Sequence, residues 1–485
     1  MLDDMEGRVG HETLRSVHIT NSYHKQSGGI STSYNNLLSA AEKRGRHVSL
    51  IVPGETESVE VLGDFTKIYY VPAKKSPIFD KRYRVMMPWQ YMVRGSIIRK
   101  ILLEERPDII EVTDKYTLSM IGPMIRTNKF RRLGRPMLVH FSCERMDDNI
   151  LTFVPGGRFG KAFSNFLIRN YHLPSFDFHL ANSVYTADEF YEAVDAKGRL
   201  SKWFMNKCWN FFRAPRASMD DRIEVCPRGV NIQKFNEDNR SDEMKRRLRS
   251  RAGVPDNAVL LFYAGRLSPE KNVELLLDLM LKLAKDKDRD YRLLIAGDGP
   301  KSKWLANLTD KLIPGKIVQF GHLDKEQLAH FYANADVFVH PNPREPFGIA
   351  PLEAMASGLP LVAPNSGGIL SYANNNNSWL SEPTAEAFAR SVNDVLNDDA
   401  RREERIRNAK AAVSENTSEI SANRLLDTYD RLFERFRSQR HLFVGETNSV
   451  RFDFTELVKI AIVAALTYLL QYFGMLPDPA AYFFR

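Results

Sequence analysis

Short apolar runs of strand type alternate with helical stretches along most of the 485 residues, and this alternation limits the possible folds most strongly. Each run ends at a glycine-rich or charged loop before the next helix, which is the pattern of βαβ units with parallel strands. In the first half the predicted strands are 17–20, 48–52, 109–112, 137–141 and 179–183, with 223–231 closing this half. In the second half they are 259–263, 293–296, 317–320, 337–340 and 361–363. The sequence therefore predicts an α/β protein with two parallel sheets.

Two carboxylates flank the start of a short predicted helix within residues 344–360. Glu345 precedes the helix, Glu353 lies inside it, and Gly348 between them leaves room for a ligand at the backbone. Helix N-termini attract anions, and a carboxylate accepts two hydrogen bonds from a vicinal diol such as ribose. For a lone pair of glutamates, an amphipathic helix with surface acids is the alternative. The whole segment, which ends at Gly358 and Pro360, predicts a nucleotide-sugar site.

This segment resembles the Glu-x7-Glu signature of glycosyltransferase family 4, because the glutamate spacing, the Pro-Phe-Gly and the Leu-Glu-Ala-Met-Ala-Ser-Gly all agree. The resemblance implies a retaining enzyme of the GT-B fold, with two Rossmann-like domains facing each other across a cleft. We therefore expect an acceptor-side domain at 1–235, completed by a crossing helix at 420–440, and a donor domain at 236–419. The charged stretch 236–256 is the candidate linker, and an apolar tail follows at 441–485.

Two cationic side chains follow the strand predicted at 259–263. Arg266 and Lys271 share one loop, where Arg can bind a phosphate by two hydrogen bonds and Lys acts as a point charge. A solvated surface pair is the alternative. The resemblance supports the first interpretation, since both residues match the family's Gly-Arg-x-x-x-x-Lys element. It also implies that the departing diphosphate is stabilised without a metal ion and without a cofactor.

The resemblance assigns further donor contacts residue by residue. Glu353 is expected to bind the ribose diol, and Glu345 to hold hydroxyls of the transferred sugar without acting as a nucleophile. The remaining expected contacts are the second glycine of an early turn against the diphosphate (Gly29), the backbone near the base (Gly321 and Leu323), and the N–H groups beside the sugar (Phe347, Gly348 and Ile349).

The first domain departs from the family pattern at one position. A histidine usually ends the strand that begins here at Pro136, but Ser142 or Cys143 takes that place and His140 lies earlier. Because residues 140 and 142 share a strand face, we include His140 among the expected catalytic residues with Glu345, Arg266 and Lys271. A position in the core is the alternative for His140.

Composition indicates the partners less sharply. The net charge of +8 suits an anionic substrate, an anionic lipid surface or nucleic acid, and no base-reading module argues for the last. Three widely spaced cysteines and an acidic N-terminus fit a reducing compartment and give no signal peptide.

Two segments suggest contact with a membrane. Residues 197–216 carry six basic and five aromatic residues and no acid, which suits an anionic lipid surface or, alternatively, a helix whose aromatics join the core. The 17 residues 460–476 are nearly all apolar, at the lower limit for spanning a bilayer. A spanning anchor, an interfacial helix and a helix packed on a partner chain are all open for this tail.

Together these features predict a retaining glycosyltransferase at the inner, cytoplasmic face of a membrane. It would move a hexose-type sugar from a UDP- or GDP-linked donor to a lipid or a lipid-linked glycan. The alternatives are a soluble transferase with a sugar or small-molecule acceptor, a nucleotide-sugar epimerase, and a non-catalytic sugar-nucleotide binder.

Overall fold

The computed structural model describes residues 14–24, 28–75, 84–153, 158–195 and 199–444. The strands in the first half are β1 (Arg15–Ile19), β2 (His47–Gly54), β3 (Ser58–Val61), β4 (Thr66–Pro72), β5 (Lys74–Lys75), β6 (Arg84–Val85), β7 (Ile109–Val112), β8 (Met137–Ser142), β9 (Phe178–Ala181) and β10 (Ile223–Val225). Those in the second half are β11 (Val259–Ala264), β12 (Tyr291–Ala296), β13 (Ile317–Gln319), β14 (Val337–Val339), β15 (Leu361–Pro364) and β16 (Trp379–Ser381).

Helices follow most of these strands. In the first half they are α1 (Gly29–Lys43), α2 (Trp89–Met92), α3 (Ile97–Glu105), α4 (Ile121–Arg126), α5 (Met146–Phe153), α6 (Arg158–Leu167), α7 (Leu173–Ser175), α8 (Val184–Val194) and α9 (Arg199–Phe211). In the second half they are α10 (Asp242–Ala252), α11 (Glu274–Leu283), α12 (Ser302–Leu312), α13 (Lys325–Asn334), α14 (Ile349–Ala356), α15 (Ala385–Asn397), α16 (Asp399–Ser414), α17 (Ser418–Ser438) and α18 (Arg440–Phe443).

Fourteen of the strands form two large sheets, and β5 and β6 pair separately as a two-stranded antiparallel sheet. The first large sheet has the order β10-β9-β8-β7-β1-β2-β4-β3 and is parallel except for its last pair, β4 with β3. The second has the order β13-β12-β11-β14-β15-β16 and is parallel throughout. The central strands are apolar runs buried on both faces, as expected where helices cover both sides of a parallel sheet. The predicted α/β architecture of two parallel sheets is confirmed.

Helix α17 leaves the second half and packs on α1 of the first half. Arg44 and Arg46 form ion pairs with Asp427 and Asp430 of α17. The Tyr429 hydroxyl of α17 reaches the buried carboxylate of Glu111 in the first sheet. Residues 418–438 therefore occupy the place expected for a crossing helix, while the domain boundaries themselves stay a prediction.

The two halves also meet at the loop that precedes α14. The hydroxyl of Ser183, which caps α8, donates to the carbonyl of Pro346 at 2.5 Å. Across the same gap, Lys325 Nζ donates to Thr32 Oγ1 at 2.7 Å. These contacts hold the start of α1 against the carboxyl edge of the second sheet.

The segment expected to be a linker is folded. Within 236–256 the chain forms α10, capped by Ser241 and closed by Gly253 in a left-handed conformation. Just before α10, Arg240 donates to the Ala333 carbonyl of α13, so this stretch packs on the second half. The high charge of this stretch favoured the linker interpretation, although Ser241 and Gly253 are the residue types that cap a helix at its start and end.

The apolar run 460–476 lies outside the described residues. In the part of the chain that the structure does describe, no helix combines the length and apolarity needed to cross a membrane.

Candidate functional site

A cavity of about 450 Å³ lies where the start of α1 faces the carboxyl edge of the second sheet. Ligands of open parallel sheets bind at this edge, where the strand-end loops converge. The cavity brings together eight of the expected donor residues: Gly29, Arg266, Lys271, Leu323, Glu345, Gly348, Ile349 and Glu353.

Backbone geometry fixes the loop that carries Glu345. Gly348 has φ of 86°, in the left-handed region that favours glycine, and a Cβ there would come within 2.8 Å of the Tyr372 hydroxyl. Helix α14 starts directly after it, so Glu345 precedes the helix and Glu353 lies on its second turn. Opposite, a Cβ on Gly29 would lie 3.3 Å from Ile349, which shows how closely the first half approaches α14.

Glu345 is held by a cation and an amide. Lys271 Nζ lies 3.0 and 2.8 Å from its two oxygens, and Asn342 Nδ2 donates to Oε2 at 3.0 Å. Burial opposes ionisation of this carboxyl, but the charge of Lys271 and these hydrogen bonds outweigh it and lower the pKa to about 2. Glu345 is therefore ionised at neutral pH.

Glu353 has the opposite environment. Burial raises its pKa to about 7, although the hydroxyl of Tyr332, which donates at 2.9 Å, and the charge of Lys325 both act to lower it. The two acids of the signature thus differ: Glu345 stays ionised well below pH 7, whereas Glu353 titrates near neutral pH.

Arg266 lies in the turn that follows β11, and its side chain lines the cavity. Its Nε is buried without a hydrogen-bond partner, so the guanidinium keeps donor capacity for a ligand. Together with Lys271, in the 3-10 turn Pro269–Lys271, it places two cationic groups at the same sheet edge. Two cations and two acids around one cavity suit a ligand that carries phosphates and hydroxyls.

Two of the expected donor contacts, Phe347 and Gly321, are absent from the cavity wall. Phe347 is buried in the core against Tyr372, with ring centroids 5.2 Å apart. Gly321 does not line the cavity, but its carbonyl accepts a hydrogen bond at 2.7 Å from the N–H of Gly297, which does. The backbone roles expected of both residues stay predictions.

His140 also lies away from the cavity. Its ring is fully buried among His172, His179 and Phe190, with centroid distances of 5.6, 5.6 and 6.1 Å. The structure therefore places His140 in the core, as the alternative expects, and does not bring it to the cavity.

Several lining residues were not assigned to the site from the sequence, among them Thr32, Lys325, Tyr332 and His340. The sequence could have indicated His340, because it ends the predicted strand that leads to Glu345. Thr32 lies one helical turn beyond Gly29. Lys325 and Tyr332 gave no signal, since only the packing of α13 brings them beside Glu353.

Among the residues that the structure describes, no group of three or more His, Cys, Asp or Glu side chains is arranged to hold a metal ion.

Comparison with known proteins agrees with this geometry. Residues 244–412 match the family model described as glycosyl transferases group 1. The chain is 28% identical over 402 residues to a GDP-mannose-dependent alpha-(1-6)-phosphatidylinositol dimannoside mannosyltransferase of Mycobacterium tuberculosis (strain ATCC 25177 / H37Ra), covering 82% of this chain and 92% of the relative. It is 25% identical over 348 residues to an alpha-monoglucosyldiacylglycerol synthase of Streptococcus pneumoniae, covering 71% and 69%.

Among solved structures, the chain is similar to sucrose-phosphate synthase from Thermosynechococcus elongatus. The TM-score is 0.64 at 18% identity, covering 87% of this chain and 100% of that one. At this identity the likeness concerns the fold, which is the two-domain architecture expected from the sequence.

Proposed function

Because this chain is a glycosyltransferase of family 4 with the GT-B fold, we propose that it moves a hexose from a nucleoside diphosphate to a lipid or lipid-linked glycan. Several similar proteins are named as GDP-mannose-dependent enzymes, so GDP-mannose is the first donor to test and UDP-linked hexoses are the second. The similarity to named glycosyltransferases argues against the epimerase and the non-catalytic binder that the sequence alone left open.

One observation carries the proposal: a single cavity holds two cationic side chains and two buried carboxylates whose pKa values are shifted in opposite directions. Arg266 and Lys271 bind the diphosphate and stabilise the charge that develops on it as the glycosidic bond breaks. Glu353 accepts hydrogen bonds from the ribose diol. Gly29, at the start of α1, brings backbone to the diphosphate from the opposite side.

Glu345 acts on the sugar. Its carboxylate is ionised and paired with Lys271, so it is a poor nucleophile and a good acceptor for sugar hydroxyls. Its negative charge stabilises the positive charge that develops on the sugar ring in the transition state. Family membership favours retention, in which an α-linked donor gives an α-linked product.

The lipid acceptor is supported by two similar proteins, whose names specify a phosphatidylinositol mannoside and a diacylglycerol glycolipid. The surface of α9 adds a second argument. Trp203 is 58% exposed, with Lys202 and Lys207 exposed beside it, and Lys207 Nζ lies 5.8 Å from the Trp203 ring. A basic and aromatic surface of this kind suits anionic headgroups at the cytoplasmic face of a membrane.

The rest of the basic aromatic stretch is used for packing. Phe204 stacks on Phe166 with centroids 5.4 Å apart, and Trp209 donates its indole N–H to the Arg169 carbonyl at 2.9 Å. The core alternative raised by the sequence therefore describes Phe204 and Trp209. Only the exposed group around Trp203 enters the membrane proposal.

The test uses the full-length chain with radiolabelled GDP-mannose or UDP-glucose. Vesicles containing phosphatidylinositol or diacylglycerol are offered as acceptors, and a soluble glycan series serves as the rival. We expect sugar in the lipid fraction from one donor, an α linkage by NMR, and activity that persists with chelator. Transfer only to the soluble glycans would replace the lipid proposal with a soluble acceptor. Absence of transfer and of donor hydrolysis with every sugar nucleotide would overturn the function.

A further inference from the structure

His340 is the one cavity-lining histidine whose two ring nitrogens are both buried without a hydrogen-bond partner in the described residues. It follows β14 directly and is 4% exposed, and neither Nδ1 nor Nε2 has a hydrogen-bond partner among the described residues. Its side chain nevertheless borders the cavity. A ligand bound in the cavity could therefore form hydrogen bonds with the ring nitrogens of His340.

Leaving a buried polar group unpaired destabilises the fold, so native proteins pair nearly all such groups. His140 is equally buried and unpaired, but it is surrounded by aromatic rings and borders no cavity. His340 lines a ligand cavity, so a bound molecule can supply the hydrogen-bond partner that its ring nitrogens lack.

The neighbours of His340 indicate which part of the ligand would supply this hydrogen-bond partner. Its Nε2 lies 3.6 Å from Oε2 of Glu345, the acid proposed to hold the transferred sugar. Burial lowers the pKa of His340 to about 4, with Glu345 opposing and Lys271 reinforcing the shift. The ring is therefore neutral at pH 7 and offers one N–H donor and one acceptor nitrogen.

Glu345 alone has limited capacity for the sugar. Lys271 and Asn342 already donate three hydrogen bonds to its oxygens, out of roughly four acceptor positions on a carboxylate. A sugar hydroxyl both donates and accepts, so it is satisfied only if a second group donates to it. The neutral imidazole of His340, whose Nε2 lies 3.6 Å from Oε2 of Glu345, is placed to donate that hydrogen bond.

We propose that His340 is a direct contact of the transferred sugar, donating a ring N–H to one sugar hydroxyl that in turn donates to Glu345. A hydroxyl oxygen about 2.8 Å from each group fits between partners that lie 3.6 Å apart. This proposal rests on the proposed function and deepens it, because it makes His340 a residue that selects donors carrying that hydroxyl. Sites that hydrogen-bond a hydroxyl reject analogues lacking it far more strongly than apolar pockets do.

The experiment compares the wild type with His340→Leu and His340→Asn, and uses His330→Leu on α13 as the matched control outside the cavity. Each is assayed with GDP-mannose and its four monodeoxy analogues, or with the UDP-linked set if that donor is used. GDP or UDP affinity is measured by calorimetry, and the melting temperature of each ligand-free protein is recorded.

We expect His340→Leu to lower kcat/KM about 10–100-fold with little change in affinity for the free nucleotide. One deoxy donor should be poor for the wild type yet no worse for His340→Leu than the parent donor, since the hydroxyl and its partner act as a pair. His340→Asn should recover part of the activity. Because an unpaired buried group is removed, His340→Leu should melt higher than the wild type.

A structural role for His340 would instead give a lower melting temperature, together with equal losses for every donor. Wild-type kcat/KM in His340→Leu, or deoxy effects that simply multiply with the substitution, would overturn the proposal. Both results require active wild-type enzyme. A wild type that transfers no sugar therefore counts against the proposed function, and the melting temperatures still decide whether the unpaired ring is costly.

Discussion

Lys271 Nζ lies 2.8 Å from Oε2 and 3.0 Å from Oε1 of Glu345, so the cation proposed to bind the diphosphate also holds the acid proposed to bind the sugar. The two residues are 74 positions apart in sequence and follow different strands, β11 and β14. Their pairing keeps Glu345 ionised and fixes its orientation before a donor arrives. A donor bridging both groups would have its leaving group and its sugar held by one connected pair.

Replacement of Lys271 should therefore damage both ends of the donor site. We expect Lys271→Ala to lose roughly 2–4 kcal/mol of transition-state stabilisation in kcat/KM, as on removal of one preorganised donor. Loss of the cation should also raise the pKa of Glu345. Steady-state kinetics of sugar transfer from pH 5 to 9 measure both effects.

The matched control for this substitution is Lys282→Ala on α11, which removes a lysine paired with Glu386 at the surface, away from the cavity. It should retain wild-type kinetics. Near wild-type activity in Lys271→Ala would remove this residue from the site.

The two signature acids should differ in what they lose. Glu353→Gln should mainly weaken binding of the free nucleoside diphosphate, because ribose contacts change little during transfer. Glu345→Gln should mainly lower kcat, because its contacts strengthen as charge develops on the sugar. Calorimetry and turnover separate the two, with Glu403→Gln on the exposed face of α16 as control. Unchanged nucleotide affinity in Glu353→Gln would refute the ribose assignment.

The sequence predicted the sheet architecture and eight of the cavity residues, because strand periodicity and one local signature both act over short distances. It placed His140 in the site because period-two alternation says which residues share a face but not which way the face turns. It passed over Lys325 and Tyr332 because their position depends on how α13 packs beside α14. Contacts of this kind are set by tertiary packing and leave no local pattern.

Nucleotide affinity should depend on pH through Glu353. Burial raises its folded-state pKa to about 7, and the ribose diol prefers the ionised carboxylate. Affinity should therefore fall up to tenfold per unit as pH drops below about 7, and level off above it. Calorimetry in buffers of different ionisation enthalpy should detect proton release on binding near pH 6. Glu353→Gln should flatten the profile.

The same carboxyl should cost stability at high pH. Since its folded pKa lies above the unfolded value, its favourable contribution is present below about pH 4.5 and is lost as pH rises through about 7. Glu353→Gln should thus raise the melting temperature of the ligand-free protein more at pH 8 than at pH 5. An equal shift at both pH values would contradict the raised pKa.

Membrane binding should depend on the surface around Trp203. In a chain that lacks 457–485, Lys202→Glu combined with Lys207→Glu should release the protein from anionic vesicles at low salt, where screening is weak and these exposed charges supply the attraction. Deletion of 457–485 should release it mainly at high salt, and donor hydrolysis should survive both changes. The charge-matched control is Lys303→Glu with Lys311→Glu, both exposed on α12 of the second half. Full-length protein that fails to float with anionic vesicles at low salt would favour a soluble acceptor.

The most direct test of the central claim is an experimental structure of the complex with GDP, or with UDP if that is the donor nucleotide. The account predicts diphosphate oxygens within about 3 Å of Arg266 and Lys271, and both ribose hydroxyls within hydrogen-bond distance of Glu353. The space beside Glu345 and His340 should remain open for the sugar. A nucleotide bound outside this cavity, or one whose ribose faces away from Glu353, would contradict the assignment of the donor site.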